Sequence, residues 1–250
     1  MIRISRWKVT AAVGLVVLAA VLYGVELLLF RDPRSTLFYL VQDLAFLPVS
    51  VLVVAVIVSE VVEWREREST LRKLNMVIGA FFSELGNDLL AVLTGFDPDL
   101  ESLCAAACPA EGWARQEFAA ARAKLDGRRW ACRAERGDLE AVAQLLGRHR
   151  DFLLVLVENP SLLEHESFTE LLWAVLHVGD ELAARGGSGA LDQADLDHLS
   201  GDIDRSYRML VRQWLDSMEH LSEQYPYLYS LAARTSPLAR AAAVVPAVGA

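Results

Sequence analysis

The chain has 250 residues, with 24 Lys and Arg against 33 Asp and Glu, a net charge of −9, and 54% hydrophobic residues. The acidic balance excludes the basic footprint of a nucleic-acid binder. The charge is also uneven: the first quarter is mostly apolar, and the rest carries the acidic excess and is polar enough to be soluble.

Residues 1–8 form a basic start with Arg3, Arg6 and Lys8. Two apolar runs follow, 9–30 and 37–62, and the turn Arg31-Asp32-Pro33-Arg34-Ser35-Thr36 separates them. A bilayer takes about 20 helical residues at roughly 1.5 Å rise each, so each run is long enough to cross one. The first run exceeds the apolar core of a signal peptide and ends in Leu-Leu-Leu-Phe without a small-residue cleavage site. The reading is a retained transmembrane hairpin over 9–62. Basic residues flank its two ends (Arg3, Arg6, Lys8; Arg65, Arg67, Arg72, Lys73), and only Arg31 and Arg34 occupy the turn. That asymmetry places both termini in the cytoplasm.

Glu26, Gln42 and Asp43 lie near the outer ends of the two runs. Carboxylates inside a membrane are costly and mark function by default. At this depth they can also simply reach the interface or the arginines of the turn. Pro48 removes a backbone donor and predicts a kink, as a gating element or a packing adjustment. Ser50 shares a face with Asp43. That polar stripe either lines a pore in an oligomer or holds the two spans together.

No helix breaker follows residue 62, so the second span is expected to continue outward. Leu71, Leu74, Ile78, Phe81 and Leu85 repeat at spacings of 3 and 4, a heptad seam. Phe82 and Leu89 widen it, which favours a bundle core over a coiled coil. Gly95, Asp97 and Pro98 end the helix. Residues 98–136 read as irregular, with one helix over Trp113–Leu125. Cys104, Cys108 and Cys132 have poor zinc spacing and read as reduced thiols packed as small apolar groups.

Further helices are predicted over Asp138–Glu158, Leu162–Arg185, Asp192–Gln224 and Tyr227–Arg234. Asn159-Pro160, the flexible Gly186-Gly187-Ser188-Gly189 link and Tyr225-Pro226 separate them. No stretch alternates as a strand does, so the fold class is all-α: a two-helix hairpin followed by a helical bundle over 63–235. The apolar stripes are Phe168, Leu171, Leu172, Val175, Val178 and Leu182 on one helix, and Leu196, Leu199, Ile203, Tyr207, Leu210, Trp214 and Leu221 on the next. Residues 236–250 have little to bury and are expected to be disordered.

The best constellation for chemistry flanks the glycine link. Glu166, Glu170, His177 and Glu181 share one helix face, and Asp195, His198 and Asp202 share another. Antiparallel helices would oppose these stripes as in carboxylate-and-histidine metal sites, with Glu170, His177, Glu181, Asp195, His198 and Asp202 as candidate ligands. Solvated faces and a loaded first helical turn account for the same residues without a metal. No phosphate-binding glycine loop, nucleophile elbow or His-Glu-x-x-His motif occurs. No catalytic residue and no cofactor are therefore assigned, and the chain is read as a non-enzyme.

Several blocks carry a resemblance: Tyr39-Leu40-Val41-Gln42-Asp43-Leu44-Ala45-Phe46-Leu47-Pro48, Leu74-Asn75-Met76-Val77-Ile78-Gly79-Ala80-Phe81-Phe82-Ser83-Glu84, Phe168-Thr169-Glu170-Leu171-Leu172-Trp173-Ala174 and Tyr225-Pro226-Tyr227-Leu228-Tyr229-Ser230-Leu231-Ala232. Over most of 37–236 the chain resembles uncharacterised bacterial membrane proteins with two spans and a helical cytosolic domain. The resemblance implies architecture and a bacterial inner (plasma) membrane, and carries no functional residue. The leading expectation is a homo-oligomeric membrane protein presenting an all-α interaction or regulatory domain to a cytosolic protein partner. The alternatives are an oligomeric ion channel lined by the second span, and a metal-binding bundle acting as sensor or enzyme.

Overall fold

The computed structural model describes residues 6–30, 33–110, 112–162, 165–186 and 191–244. Every regular element among them is helical, as expected. The chain divides into two compact units, Met1–Arg67 and Glu68–Ala250, a turn beyond the expected boundary at 63.

In the first unit, α1 runs Arg6–Phe30 and α2 starts at Pro33. Of the expected six-residue turn, Pro33 to Thr36 are already helical, and Arg31 and Asp32 lie outside the described residues. Proline suits a first helical position, where its missing N–H has no intrahelical partner to lose. α2 extends over Pro33–Phe81 and stays helical through Pro48. Among the described residues, one helix is long and apolar enough to cross a membrane; it begins at Arg34, its most apolar window has a mean hydropathy of 2.5, and none of that window is buried. The apolar stretch Val13–Leu29 of α1 is shorter. Its side chains are likewise uncovered, Leu28 being 78% exposed.

In the second unit the heptad seam is core. Leu74, Ile78, Phe81 and Leu85 are buried and only Leu71 is exposed. α2 does not run on to Gly95 as a plain α-helix. It passes at Phe81 into a π-turn, Phe82–Gly86, then α3 (Asn87–Leu93) and a 3₁₀ turn at Thr94–Phe96. The wider turn lets Phe81, Phe82 and Leu85 all face inward. It also requires glycine at 86, where a Cβ would stand 2.6 Å from Cδ1 of Phe82 and 2.8 Å from Cε1 of Phe81. Phe81 then meets Phe168 edge to face, with ring centroids 5.3 Å apart.

The region read as mostly irregular adds a helix, α4 (Leu100–Ala107), to the expected one, which forms as α5 (Arg115–Asp126). The predicted helix over 138–158 is two, α6 (Leu139–Arg148) and α7 (Arg150–Val157). They join at His149, whose backbone leaves helical geometry. Its ring Nδ1–H donates to Leu145 O at 2.9 Å, a side-chain bond that competes with the regular ladder. α8 (Glu166–Ala184) is capped by His165 and α9 (Gln193–Gln224) by Asp192, which accept from Phe168 N and Asp195 N. The glycine link lies outside the described residues except for Gly186, whose φ of +71° is the left-handed value a helix C-terminus favours in glycine.

α9 is the spine. It packs along α8, α5 and the next helix, α10 (Pro226–Arg234). The predicted stripe on α8 is wholly buried, as are Leu199, Ile203, Tyr207, Leu210 and Trp214 of α9. The tail read as disordered from 236 is instead helical over Pro237–Val244, α11. Leu238 and Ser236 are fully buried, Ala241 packs against the core, and α11 packs on α3 and α4. Residues 245–250 lie outside the described residues.

Two polar contacts fix inner geometry. Arg128 Nη2 donates to both oxygens of Asp97, at 2.8 and 2.9 Å, with the two side chains 8% and 4% exposed. The guanidinium also lies over the Trp130 ring, 4.8 Å from its centroid.

The second contact joins Asn75 Nδ2 to His220 Nδ1 at 3.2 Å. The amide nitrogen can only donate, so Nδ1 accepts and must be unprotonated. Burial holds the His220 pKa below its ordinary value, with Glu223 opposing weakly. The unfolded chain therefore binds this proton more readily than the folded one, and stability rises with pH. The contribution is complete above about pH 6.5, the ordinary histidine value, and is lost as pH falls through the lower folded value. Urea unfolding should show a loss of stability between neutral and mildly acidic pH, and His220→Gln should reduce it. An equal pH dependence in the variant would exclude this contact as the source.

Candidate functional site

The residues singled out from the hairpin do not form a common site. Tyr23 of α1 donates its hydroxyl to Asp43 Oδ2 of α2 at 2.8 Å. Asp43 is thus engaged within its own chain. Ser50 donates to Phe46 O one turn back at 3.2 Å, so its hydroxyl is satisfied inside α2. Glu26 is half-buried, Gln42 is exposed, and Pro48 sits within the continuous helix. Tyr23 was not legible as a partner, because a tyrosine in an apolar run reads as interfacial packing.

The stripes beside the glycine link do converge. α8 and α9 pack along one another on their apolar faces, which brings His177 opposite His198. The two rings meet edge to face with centroids 6.5 Å apart. Both Nε2 atoms approach one carboxylate oxygen, Asp202 Oδ2, at 3.3 Å from His177 and 3.2 Å from His198. Glu181 stands at the edge, 3.9 Å from His177 Nε2 and 3.8 Å from His198 Nε2. One ligand atom each from His177, His198 and Asp202 fits within a span of 4.8 Å.

Burial separates the roles. The Asp202 side chain is 6% exposed and those of His177 and His198 are 45% and 53% exposed. Oδ2 of Asp202 is out of reach of solvent, and no hydrogen bond reaches it. Both imidazole nitrogens are within ion-pair distance, but neither N–H is aligned on that oxygen. Its partner oxygen, Oδ1, faces Arg205 at 3.7 Å. A buried carboxylate oxygen without a donor costs about 1–3 kcal/mol or more. A cation bound between the three atoms would remove that cost. Ligands at roughly 2.0–2.1 Å around a tetrahedral zinc stand about 3.3 Å apart; both nitrogen–oxygen distances match this, and the wider 4.8 Å span of the three atoms requires the half-exposed imidazoles to close in on the ion.

The other candidate ligands are placed differently. Arg185 bonds Glu181 through Nη1 and Asp195 through Nε, the latter at 3.0 Å. Its guanidinium holds the Glu181 carboxyl below the ordinary carboxylate range. Asp195 is thereby tied beside the centre, outside the three-atom cluster. Glu170 is exposed on an outer turn of α8 and no contact brings it into the cluster. Four of the six candidate ligands therefore gather, three closely, and Arg185 is the neighbour that spacing alone did not name.

A cavity of about 380 Å³ opens on the other flank of α8, lined by Ala143, Gly147, Arg150, Leu176, Gly179 and Asp180. It lacks converging ligand atoms. Arg150 pairs with Asp180 at 3.3 Å, and the nearby Glu140 accepts from Gln144. Among the described residues, the candidate ligand atoms gather on the His177 face instead.

The chain matches known proteins at both ends. The model described as the C-terminal helical domain of Uncharacterized protein MJ1433 matches residues 70–234, and that of the MJ1433 N-terminal helical domain matches residues 2–62. Uncharacterized protein MJ1433 of Methanocaldococcus jannaschii is 39% identical over 233 residues, covering 93% of this chain and 94% of its own length. No solved structure matches. The relative is archaeal, so the bacterial source implied by the resemblance gains no support. With matches spanning nearly its whole length, the chain belongs to the MJ1433 family of helical proteins.

Proposed function

We propose that this is a membrane-anchored protein whose all-α domain binds a divalent transition ion between α8 and α9, through His177, His198 and Asp202 with Glu181 alongside. The observation that carries the reading is the buried, unpartnered Oδ2 of Asp202 with two imidazole nitrogens drawn up to it. Two histidines and a carboxylate suit zinc or ferrous iron. The half-exposed imidazoles leave the ion a coordination position facing solvent. Binding would tie the C-terminal half of α8 to the N-terminal half of α9 across the glycine link. That coupling fits a metal-responsive regulatory domain.

The anchor is supported by α2, whose apolar window has no cover within the chain, and by the uncovered side chains of α1. Apolar surface of that extent needs a lipid or protein environment. The Tyr23–Asp43 bond favours a passive hairpin over a pore, since it turns the one strongly placed acid toward its own chain.

Two measurements test the proposal. Zinc at about 100 times its Kd should stabilise the detergent-extracted protein by about 2.7 kcal/mol, raising the Tm by roughly 5–10 °C. A Tm unmoved by zinc at any concentration would overturn the metal assignment. Alkaline carbonate should leave the full chain in the pelleted membranes, and release into the supernatant would overturn the anchor.

A further inference from the structure

Cys104 and Cys108 stand one turn apart at the end of α4. Their sulfurs are 2.6 Å apart, in direct contact. Cα atoms four residues apart on a helix are about 6.2 Å from one another, inside the range of about 4.4–6.8 Å that a disulfide spans. Cys108 is the residue where α4 ends, with an extended backbone at φ −80° and ψ 107°. Its side chain is therefore not bound to helical rotamers and can adjust to a partner on the last turn. The Cys104 thiol also donates to the carbonyl of Leu238 at 3.1 Å, which links the pair to α11. Both cysteines are half-buried and reachable, whereas Cys132 is buried. Hydrogen bonding from Cys108 lowers the Cys104 pKa, and burial and Asp204 raise that of Cys132.

We propose that Cys104 and Cys108 form a dithiol modification site that closes to an intramolecular disulfide by exchange with a small-molecule disulfide. In the first step the Cys104 thiolate attacks one sulfur of the reagent. A Cys104–sulfur bond forms, the reagent's S–S bond breaks, and one thiol leaves carrying the proton Cys104 gave up. In the second step the Cys108 thiolate attacks Cys104 Sγ and displaces the second thiol, which takes the Cys108 proton. Two protein thiols are oxidised and one disulfide is reduced to two thiols. Closure also removes the hydrogen that Cys104 donates to Leu238 O. Leu238 is fully buried, and its carbonyl keeps its place in the α11 ladder but loses this second donor, the side-chain bond that ties α11 to α4. The disulfide thus loosens α11 from α4. Reversible pairs of this kind are the regulatory form of disulfide in reducing compartments.

The test is mass spectrometry of the full chain in detergent after oxidised glutathione. The wild type should lose two hydrogens, retain no glutathione and recover with dithiothreitol. Cys108→Ser should trap one glutathione on Cys104, because the resolving thiol is gone. Amide exchange of residues 237–244 should quicken on oxidation in the wild type and stay unchanged in Cys104→Ser. A wild type that stays fully reduced, or that keeps glutathione as Cys108→Ser does, would overturn the proposal. So would closure without any change in exchange at α11, for its coupling to that helix.

Discussion

Exchanging Asp202 for asparagine should weaken zinc binding by at least about a hundredfold, while leaving the helical fold in place. Asparagine keeps the shape of the side chain but removes its charge, and an amide is a poor ligand to a borderline ion. Loss of a partner that merely supports a metal ligand costs about 10–100-fold in affinity, and loss of a ligand should cost no less. Asp202 is the appropriate residue to change because it is the buried member of the centre, 6% exposed at its side chain, and lies on α9, with histidines reaching it from both α8 and α9. Glu170→Gln serves as the matched control. It removes a carboxylate from the same helix as His177, but from an exposed position outside the cluster. Zinc affinity should be unchanged in that variant. Equal affinity in wild type and Asp202→Asn would remove Asp202 from the ligand set and overturn the assignment of the ion to this centre.

Asp97→Ala should destabilise the helical domain by about 3–5 kcal/mol in denaturant unfolding. Arg128 would then be a buried guanidinium without its counter-charge. Nε and Nη1 already lack partners, so Nη2 carries the contacts that make burial tolerable: Asp97 and the carbonyl of Asp99. The pair also closes one corner of the fold. Phe96, beside Asp97, accepts from Arg133 N through its carbonyl, and its ring covers Gly137, where a Cβ would stand 2.5 Å from ring carbons. The double variant Asp97→Leu with Arg128→Met should be more stable than Asp97→Ala, because replacing both ions removes the uncompensated charge. A single variant within about 1 kcal/mol of wild type would show that water or a neighbouring group already supports Arg128.

The elements were legible where one periodic signal dominated. The stripe from Phe168 to Leu182 and the run from Leu199 to Trp214 are both buried, and α9 begins within one residue of the predicted start at Asp192, which serves as its cap. Legibility failed where packing or a side-chain bond, and not helix propensity, chose the local geometry. Nothing near Phe82 announces a π-turn; it follows from burying Phe81, Phe82 and Leu85 together over Gly86. The break at His149 depends on a side-chain bond to Leu145 O that helix propensity does not record. Leu238 is the one large apolar side chain described in α11, seated among small residues, too sparse a pattern to predict.

The candidate site shows the same division. Spacing of four residues placed His177 with Glu181 and His198 with Asp202, and the structure keeps both pairs. Which turns of α8 face which turns of α9 is set by the apolar contacts on their other faces. Hence Glu170 could not be told from Glu181 by sequence, nor could the capture of Asp195 by Arg185 be foreseen. In the hairpin, Tyr23 and Asp43 lie on different helices, and no local rule pairs them.

The central claim is that His177, His198 and Asp202 hold one transition ion, and cobalt(II) titration of the full chain in detergent tests it most directly. The visible absorption of four- or five-coordinate cobalt should rise to saturation at one equivalent, fall when zinc is added, and be absent from His177→Ala and His198→Ala. A featureless spectrum in the wild type, or an equal spectrum in both histidine variants, would contradict it.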